Sequence, residues 1–157
     1  MTTVILGKTN TLDQDAQLFE RLPLKTTLFL NSVPKSGTHL IRNIMRMFVP
    51  AEQQWDRAFI QYGNLHANLG AFSKDTPRLS WGHLLFTDDS AIPLKGARHI
   101  VLVRDPYDWV LARTRFFLSA EFQGPMNHIK NGAVTVEDVM NMTIMGVHER
   151  SPSLHEV

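Results

Sequence analysis

An apolar run of strand length, TTLFLNSV (Thr26–Val33), gives way through PKSGT to HLIRNIMRMFV, whose apolar residues fall at helical spacing. The first run has the β-branched and aromatic content of a buried strand. In the second, Leu40, Ile41, Ile44, Met45 and Phe48 form one face, with Arg42, Asn43 and Arg46 on the other. A strand, a short glycine-containing loop and a helix start together make a place for an anion. Backbone N–H groups point out of the helix N-terminus, and the helix dipole adds to their pull. Lys35, Ser36, Gly37 and Thr38 stand at that junction. Lysine brings charge, the two hydroxyls bring donors, and glycine allows close backbone approach.

The same grammar recurs downstream. After a polar stretch from Pro50 to Asp75, RLSWGHLL (Arg78–Leu85) reads as a short strand, and TDDSAIP as a turn with about one helical turn. Ile100–Val103 is the clearest strand. It runs into a helix start with Asp105 as N-cap, Pro106 at the first helical position and Asp108 three residues after the cap. The helix that follows is expected to bury Val110, Leu111, Thr114, Phe117 and Leu118. A last helix opens on the capping box Thr135-x-x-Asp138 and stops at Gly146. Strands alternating with helices imply an α/β fold with a parallel sheet, because parallel neighbours need crossover connections.

Bulk properties narrow the partners. A chain of 157 residues suits a single domain with a real core. A net charge of +1 gives no basis for charge-driven nucleic-acid binding, so any basic site must be local. Without cysteine there is no disulfide or thiolate chemistry. The N-terminal segment lacks a cationic region followed by a long apolar one, and no stretch reaches transmembrane length. The expectation is a cytoplasmic protein with neither membrane nor nucleic-acid partners.

In open parallel sheets ligands collect beyond the carboxyl ends of the strands. Three chemically loaded stretches fall there: PKSGT after the first strand, His83 at the end of the second and Arg104 at the end of the third. Each has a plain alternative. PKSGT lacks Walker order, since Lys35 precedes the glycine, and it could be an ordinary turn with an exposed lysine. His83 could be a hydrogen-bonded strand-end side chain, and Arg104 could simply pair with Asp105 or Asp108. The histidines show no metal-ligand spacing, so no metal is expected. Met140, Met142 and Met145 suit a core or a partner-facing surface.

Taken together, the stretches carry a resemblance. VPKSGTHLIRNIM resembles the 5′-phosphosulfate loop of the sulfotransferase family, whose members use 3′-phosphoadenosine 5′-phosphosulfate (PAPS). VLVRDPYDWVLARTRFF is similar to that family's 3′-phosphate segment, and WGHLLF falls where the family carries its histidine. The resemblance covers roughly Thr26 to Gly146 and implies a P-loop-like three-layer fold, a central parallel sheet flanked by helices. It implies that Lys35 meets the bridging oxygen and 5′-phosphate of PAPS, and that Ser36, Gly37, Thr38 and His39 cradle that phosphate. Arg104 would bind the 3′-phosphate, and His83 would take the proton from the hydroxyl or amine of a small-molecule acceptor.

The chain departs from the family in three places. Ala112 stands where a phosphate-binding serine is usual, a loss worth about 1.5–3 kcal/mol for a charged contact, and Thr114 lies on another side of the helix. His39 and Leu40 replace a common Thr-Trp pair. The Gly-rich, basic lid of the family's C-terminal part has no counterpart, so residues 1–157 are expected to form one sulfotransferase-like domain, incomplete at its C-terminus. An uncovered apolar edge and self-association follow as expectations. Two functions stay open at this point: a PAPS-dependent sulfotransferase or fragment of one, and an inactive α/β remnant binding a nucleotide bisphosphate or a protein partner. A kinase-like transferase is disfavoured by the loop order and by the want of a metal-binding acid. The stretch from Trp55 to Asp75, with Phe59, Tyr62, Leu65 and Phe72, either lines an acceptor pocket or covers the sheet.

Overall fold

Phe29 turns to one apolar cluster while Leu28 and Leu30 turn to another, the period-two alternation of a strand buried on both faces. This strand, β1 (Leu28–Ser32), is central. The computed structural model describes residues 19–84, 88–124, 126–148 and 151–156. The N-terminal segment read against a leader, and Leu85 and Thr87 of the expected strand and turn, lie outside these residues.

Four strands make one parallel sheet. β1 pairs with β3 (Leu79–His83) on one side and β4 (Arg98–Leu102) on the other, and β2 (Ile60–Gln61) adds to β3, for the order β2-β3-β1-β4. Helix α1 (Thr38–Phe48) covers one face, where Ile41 and Met45 pack with Leu30, Leu79, Trp81 and Ile100. The other face is covered by 3-10 turns between Tyr62 and Phe72 and by α2 (Asp88–Leu94), around Phe29, Trp55, Ile60, Leu65, Phe72 and Leu94. The result is a three-layer α/β fold with a central parallel sheet. Beyond β4, α3 (Pro106–Leu118) and α4 (Val136–Met145) pack around Phe117, Met126, Ile129 and Val139.

The start signals read from sequence act as written. Asp105 caps α3 by accepting from the Tyr107 and Asp108 backbone N–H groups at 3.0 and 3.2 Å. Thr135 and Asp138 form a reciprocal capping box, and α4 ends on Gly146 at φ 79°. Other expectations are corrected. TDDSAIP is not one helical turn but contributes most of a seven-residue helix, which Pro93 ends in its last turn. On α3 the buried stripe is Trp109, Val110, Arg113, Thr114 and Phe117, while Leu111 is exposed and Leu118 half-buried. The stripe is the expected one rotated towards Trp109, whose indole Nε1–H donates to the Pro34 carbonyl at 2.8 Å. On α1 the stripe is wider than the surface it covers: Leu40 and Ile44 are exposed, and Phe48 meets Phe19 edge-on at 5.2 Å. At the β4 edge, Val101 and Val103 are 54% and 66% exposed, so that flank is apolar.

Two side-chain features hold the end of β3. The buried Asn31 amide donates to the Leu84 carbonyl at 2.7 Å and accepts from the Leu84 N–H at 3.0 Å, extending the ladder by one residue past His83. Replacing Asn31 with leucine, of similar size, would orphan two buried backbone groups. The expected cost is about 2–5 kcal/mol, read as a lower urea midpoint. Gly82, beside His83, lets β2 approach: a Cβ there would sit 2.0 Å from the Ile60 carbonyl oxygen.

Candidate functional site

β1, β3 and β4 all end on one cleft of about 950 Å³, and the residues at their ends line it. The loop after β1 is shaped by two left-handed residues, Lys35 at φ 67° and Gly37 at φ 100°. Lysine tolerates that conformation poorly, and the loop is pinned from outside. Trp109 holds the Pro34 carbonyl, and the Arg104 Nη1–H group donates to the Lys35 carbonyl at 3.2 Å. α1 then starts directly on Gly37, whose carbonyl accepts from Leu40 and Ile41. The Ser36 N–H, between Lys35 and Gly37, donates to the Val33 carbonyl at 3.1 Å, so the N–H groups at the helix start, those of Gly37, Thr38 and His39, are the ones placed to meet an anion.

The structure brings Lys35, Gly37, Thr38, His39, His83 and Arg104 onto the cleft. It does not bring Ser36 there: its Oγ is buried without a hydrogen-bond partner among the described residues. The Thr38 hydroxyl lines the cleft but is already engaged, 2.6 Å from the Ser32 Oγ. Lys35 reaches across the cleft, with Nζ 3.5 Å from the Phe116 ring centroid. Burial pulls its ammonium below the ordinary lysine value, and Glu121 opposes that. Arg104 also pairs with Asp108 at 3.9 Å, an exposed contact worth little.

His83 is the most constrained member. Its Nδ1 lies 2.5 Å from the Ser32 carbonyl oxygen, which can only accept, so Nδ1 carries the proton. Nε2 is left as the basic nitrogen, with no protein partner among the described residues. Phe59 stands edge-on to the ring at 4.7 Å. Burial pushes the imidazole below its ordinary value. The Ser32 hydrogen bond opposes this, and the positive charges of His39, Arg113 and Lys35 add to it. The ring is neutral at pH 7, with its tautomer fixed by the backbone, as a proton acceptor requires.

Several lining residues have no counterpart in the sequence reading. Arg113, Phe116 and Phe117 come from one face of α3, with Glu121, Phe122 and Met126 from the segment after it. Of the stretch between Trp55 and Asp75, only Gln61 reaches the cleft. Leu65 and Phe72 are core, and Tyr62 is exposed. The helical spacing 113, 116, 117 was the one available signal for the aromatic wall. Ala112 and Thr114 do not line the cleft, so Thr114 makes no substitute for a serine at 112; its hydroxyl is buried with no partner among the described residues. The lining side chains include five that carry or accept positive charge (Lys35, His39, His83, Arg104 and Arg113) against one carboxylate, Glu121. Among the described residues no three His, Asp or Glu side chains gather as metal ligands, and no helix is long and apolar enough to cross a membrane.

No family model and no curated protein matches this sequence. Among solved structures, the chain is similar to the crystal structure of mouse sulfotransferase SULT7A1 complexed with PAP, with 18% identity and a TM-score of 0.56. The match covers 91% of this chain and 49% of the mouse protein, so the chain spans about half of that structure. At this identity the likeness is one of fold: a sulfotransferase-like α/β sheet with its helices.

Proposed function

We propose that the cleft binds PAPS and that the chain carries the donor half of a sulfotransferase site, transferring a sulfuryl group to a hydroxyl or amine of a small-molecule acceptor. The observation that carries this reading is the meeting of Lys35, His83 and Arg104 at the carboxyl ends of three parallel strands, around a left-handed anion loop. The fold shared with a PAP-bound sulfotransferase supports it. So does the excess of positive charge, which suits a ligand with two phosphates better than a neutral one.

Each residue has a defined task. The Gly37, Thr38 and His39 N–H groups hold the 5′-phosphate, and the Arg104 guanidinium holds the 3′-phosphate while its hydrogen bond to the Lys35 carbonyl ties the two positions together. His83 Nε2 takes the acceptor's proton as the new bond to sulfur forms. Lys35 leaves the Phe116 face to stabilise the negative charge arriving on the departing phosphate oxygen. Phe116, Phe117, Phe122 and Met126 give the acceptor an apolar wall. No step calls on a metal.

Transfer of labelled sulfuryl from PAPS to a panel of phenols, alcohols and amines tests the reading. Label on any acceptor, lost with Lys35→Ala, is the expected result. Tight binding of adenosine 3′,5′-bisphosphate with no transfer to any acceptor would instead favour a bisphosphate-binding module without turnover. The exposed β4 flank carries a separate expectation: the chain self-associates, and Val101→Lys with Val103→Lys should shift its sedimentation profile toward monomer. A monomer at all concentrations before substitution would overturn it.

A further inference from the structure

Arg113 is 92% buried (8% exposed) at the cleft wall, yet no carboxylate pairs with it among the described residues. Of its five N–H donors, one at Nη2 reaches the Ser151 Oγ at 2.9 Å, and the buried Nε–H has no partner among the described residues. The guanidinium is held between the Trp109 and Phe117 rings at 5.0 and 5.1 Å, which fixes its plane without neutralising its charge. Ser151 in turn is fixed by a two-way backbone bridge to Val147, at 2.8 and 2.9 Å. A buried arginine normally has a counter-ion, because an uncompensated buried charge is costly. This one faces a cleft that Lys35 and His83 also line.

We infer that Arg113 is an oxyanion subsite within the cleft, holding a sulfate- or carboxylate-class group beside His83. The planar fork of guanidinium donors matches two oxygens of such a group. Two sources fit the chemistry. The group is either the sulfuryl moiety being transferred or an anionic substituent on the acceptor. The inference rests on the proposed sulfotransferase reading for those sources, but not for the anion binding itself. Nothing in the sequence marks it: an arginine in the middle of an amphipathic helix reads as a solvated residue.

Calorimetry on the whole chain tests it, with Arg113→Gln removing the charge and Arg113→Lys keeping charge but losing the fork. The probes are PAPS against PAP, and 4-hydroxybenzoate against its neutral isostere 4-hydroxybenzamide in the presence of PAP. If the sulfuryl moiety is the source, Arg113→Gln weakens PAPS about ten- to a hundredfold while leaving PAP unchanged. If the acceptor is the source, wild type prefers the carboxylate and Arg113→Gln abolishes that preference. Either outcome supports the subsite, and Arg113→Lys should show the same pattern more weakly. Should Arg113→Gln fail to fold, Arg113→Lys alone decides by the same comparisons. Affinities unchanged within about twofold for all four probes overturn the inference. A wild-type chain that binds no PAP sinks the nucleotide reading instead. Inorganic sulfate then decides: binding that depends on Arg113 supports the subsite, and no binding overturns it.

Discussion

His83→Asn is expected to reduce sulfuryl transfer by about 10²–10⁴-fold while leaving affinity for adenosine 3′,5′-bisphosphate nearly intact. Asparagine is the informative replacement. Its side-chain N–H can still donate to the Ser32 carbonyl that now receives Nδ1, so the strand end keeps its hydrogen bond. What disappears is Nε2, the basic nitrogen that faces the cleft. Lys35→Ala should behave differently and harm both binding and turnover, because its charge meets the donor before and during transfer. A His83→Asn variant that kept most activity would return the histidine to a structural role, with His39 the next candidate on the same cleft.

The pH profile gives the same residue a second signature. A proton acceptor works only when neutral, and burial holds the His83 value below that of a free imidazole. Activity should therefore stay on its plateau as pH falls through 6.5 and decline only in more acidic solution, through the lowered folded-state value. Stability follows the same direction. The unfolded chain protonates this histidine first, so the stabilising contribution is present above the unfolded value and is lost as pH falls through the folded one. His83→Asn should erase the acid limb attributable to this group.

The second large effect concerns the backbone rather than the chemistry. Gly82→Ala places a methyl 2.0 Å from the Ile60 carbonyl oxygen and 2.8 Å from its carbon, both backbone atoms that cannot step aside alone. β2 has only two residues and pairs with β3 alone, so the clash is relieved by detaching it. That would move Phe59, which stands against His83, and open the core around Ile60. A loss of about 4 kcal/mol or more is expected, at the exceptional end for one substitution. Urea unfolding measures it, and a change under 1 kcal/mol would mean that β2 does not close on β3 as described.

How far these features could be read in advance depends on whether their cause was local. The Asp105 cap and the Thr135–Asp138 box are set by residues within a few positions of each other, and they stand where the sequence put them, whereas the loop after β1 was legible in its residues but is pinned by the distant Trp109 and Arg104. The strand-to-helix alternation carried the α/β class for the same reason. The aromatic wall was not legible. The stretch from Trp55 to Asp75 and α3 both offer aromatics, and only the tertiary fold sends Leu65 and Phe72 to the sheet and Phe116 and Phe117 to the cleft. The rotation of the α3 stripe goes with tertiary contacts such as the hydrogen bond from Trp109 to Pro34, 75 positions away in sequence. Gly82 reads as a weak strand residue until Ile60 is seen against it. The burial of Arg113 has the same character, since its enclosing partners, Trp109, Phe117 and Ser151, meet only in the folded chain.

On the proposed function, the cleft beyond the parallel strands holds a nucleotide with a 3′-phosphate. Titration calorimetry of the whole chain with adenosine 3′,5′-bisphosphate and with AMP, each with and without magnesium, tests it most directly. The bisphosphate is expected to bind more tightly than AMP, magnesium to make no difference, and Lys35→Ala and Arg104→Ala each to weaken binding about tenfold or more. Equal affinity for the two nucleotides, or a bisphosphate affinity untouched by both substitutions, would contradict it.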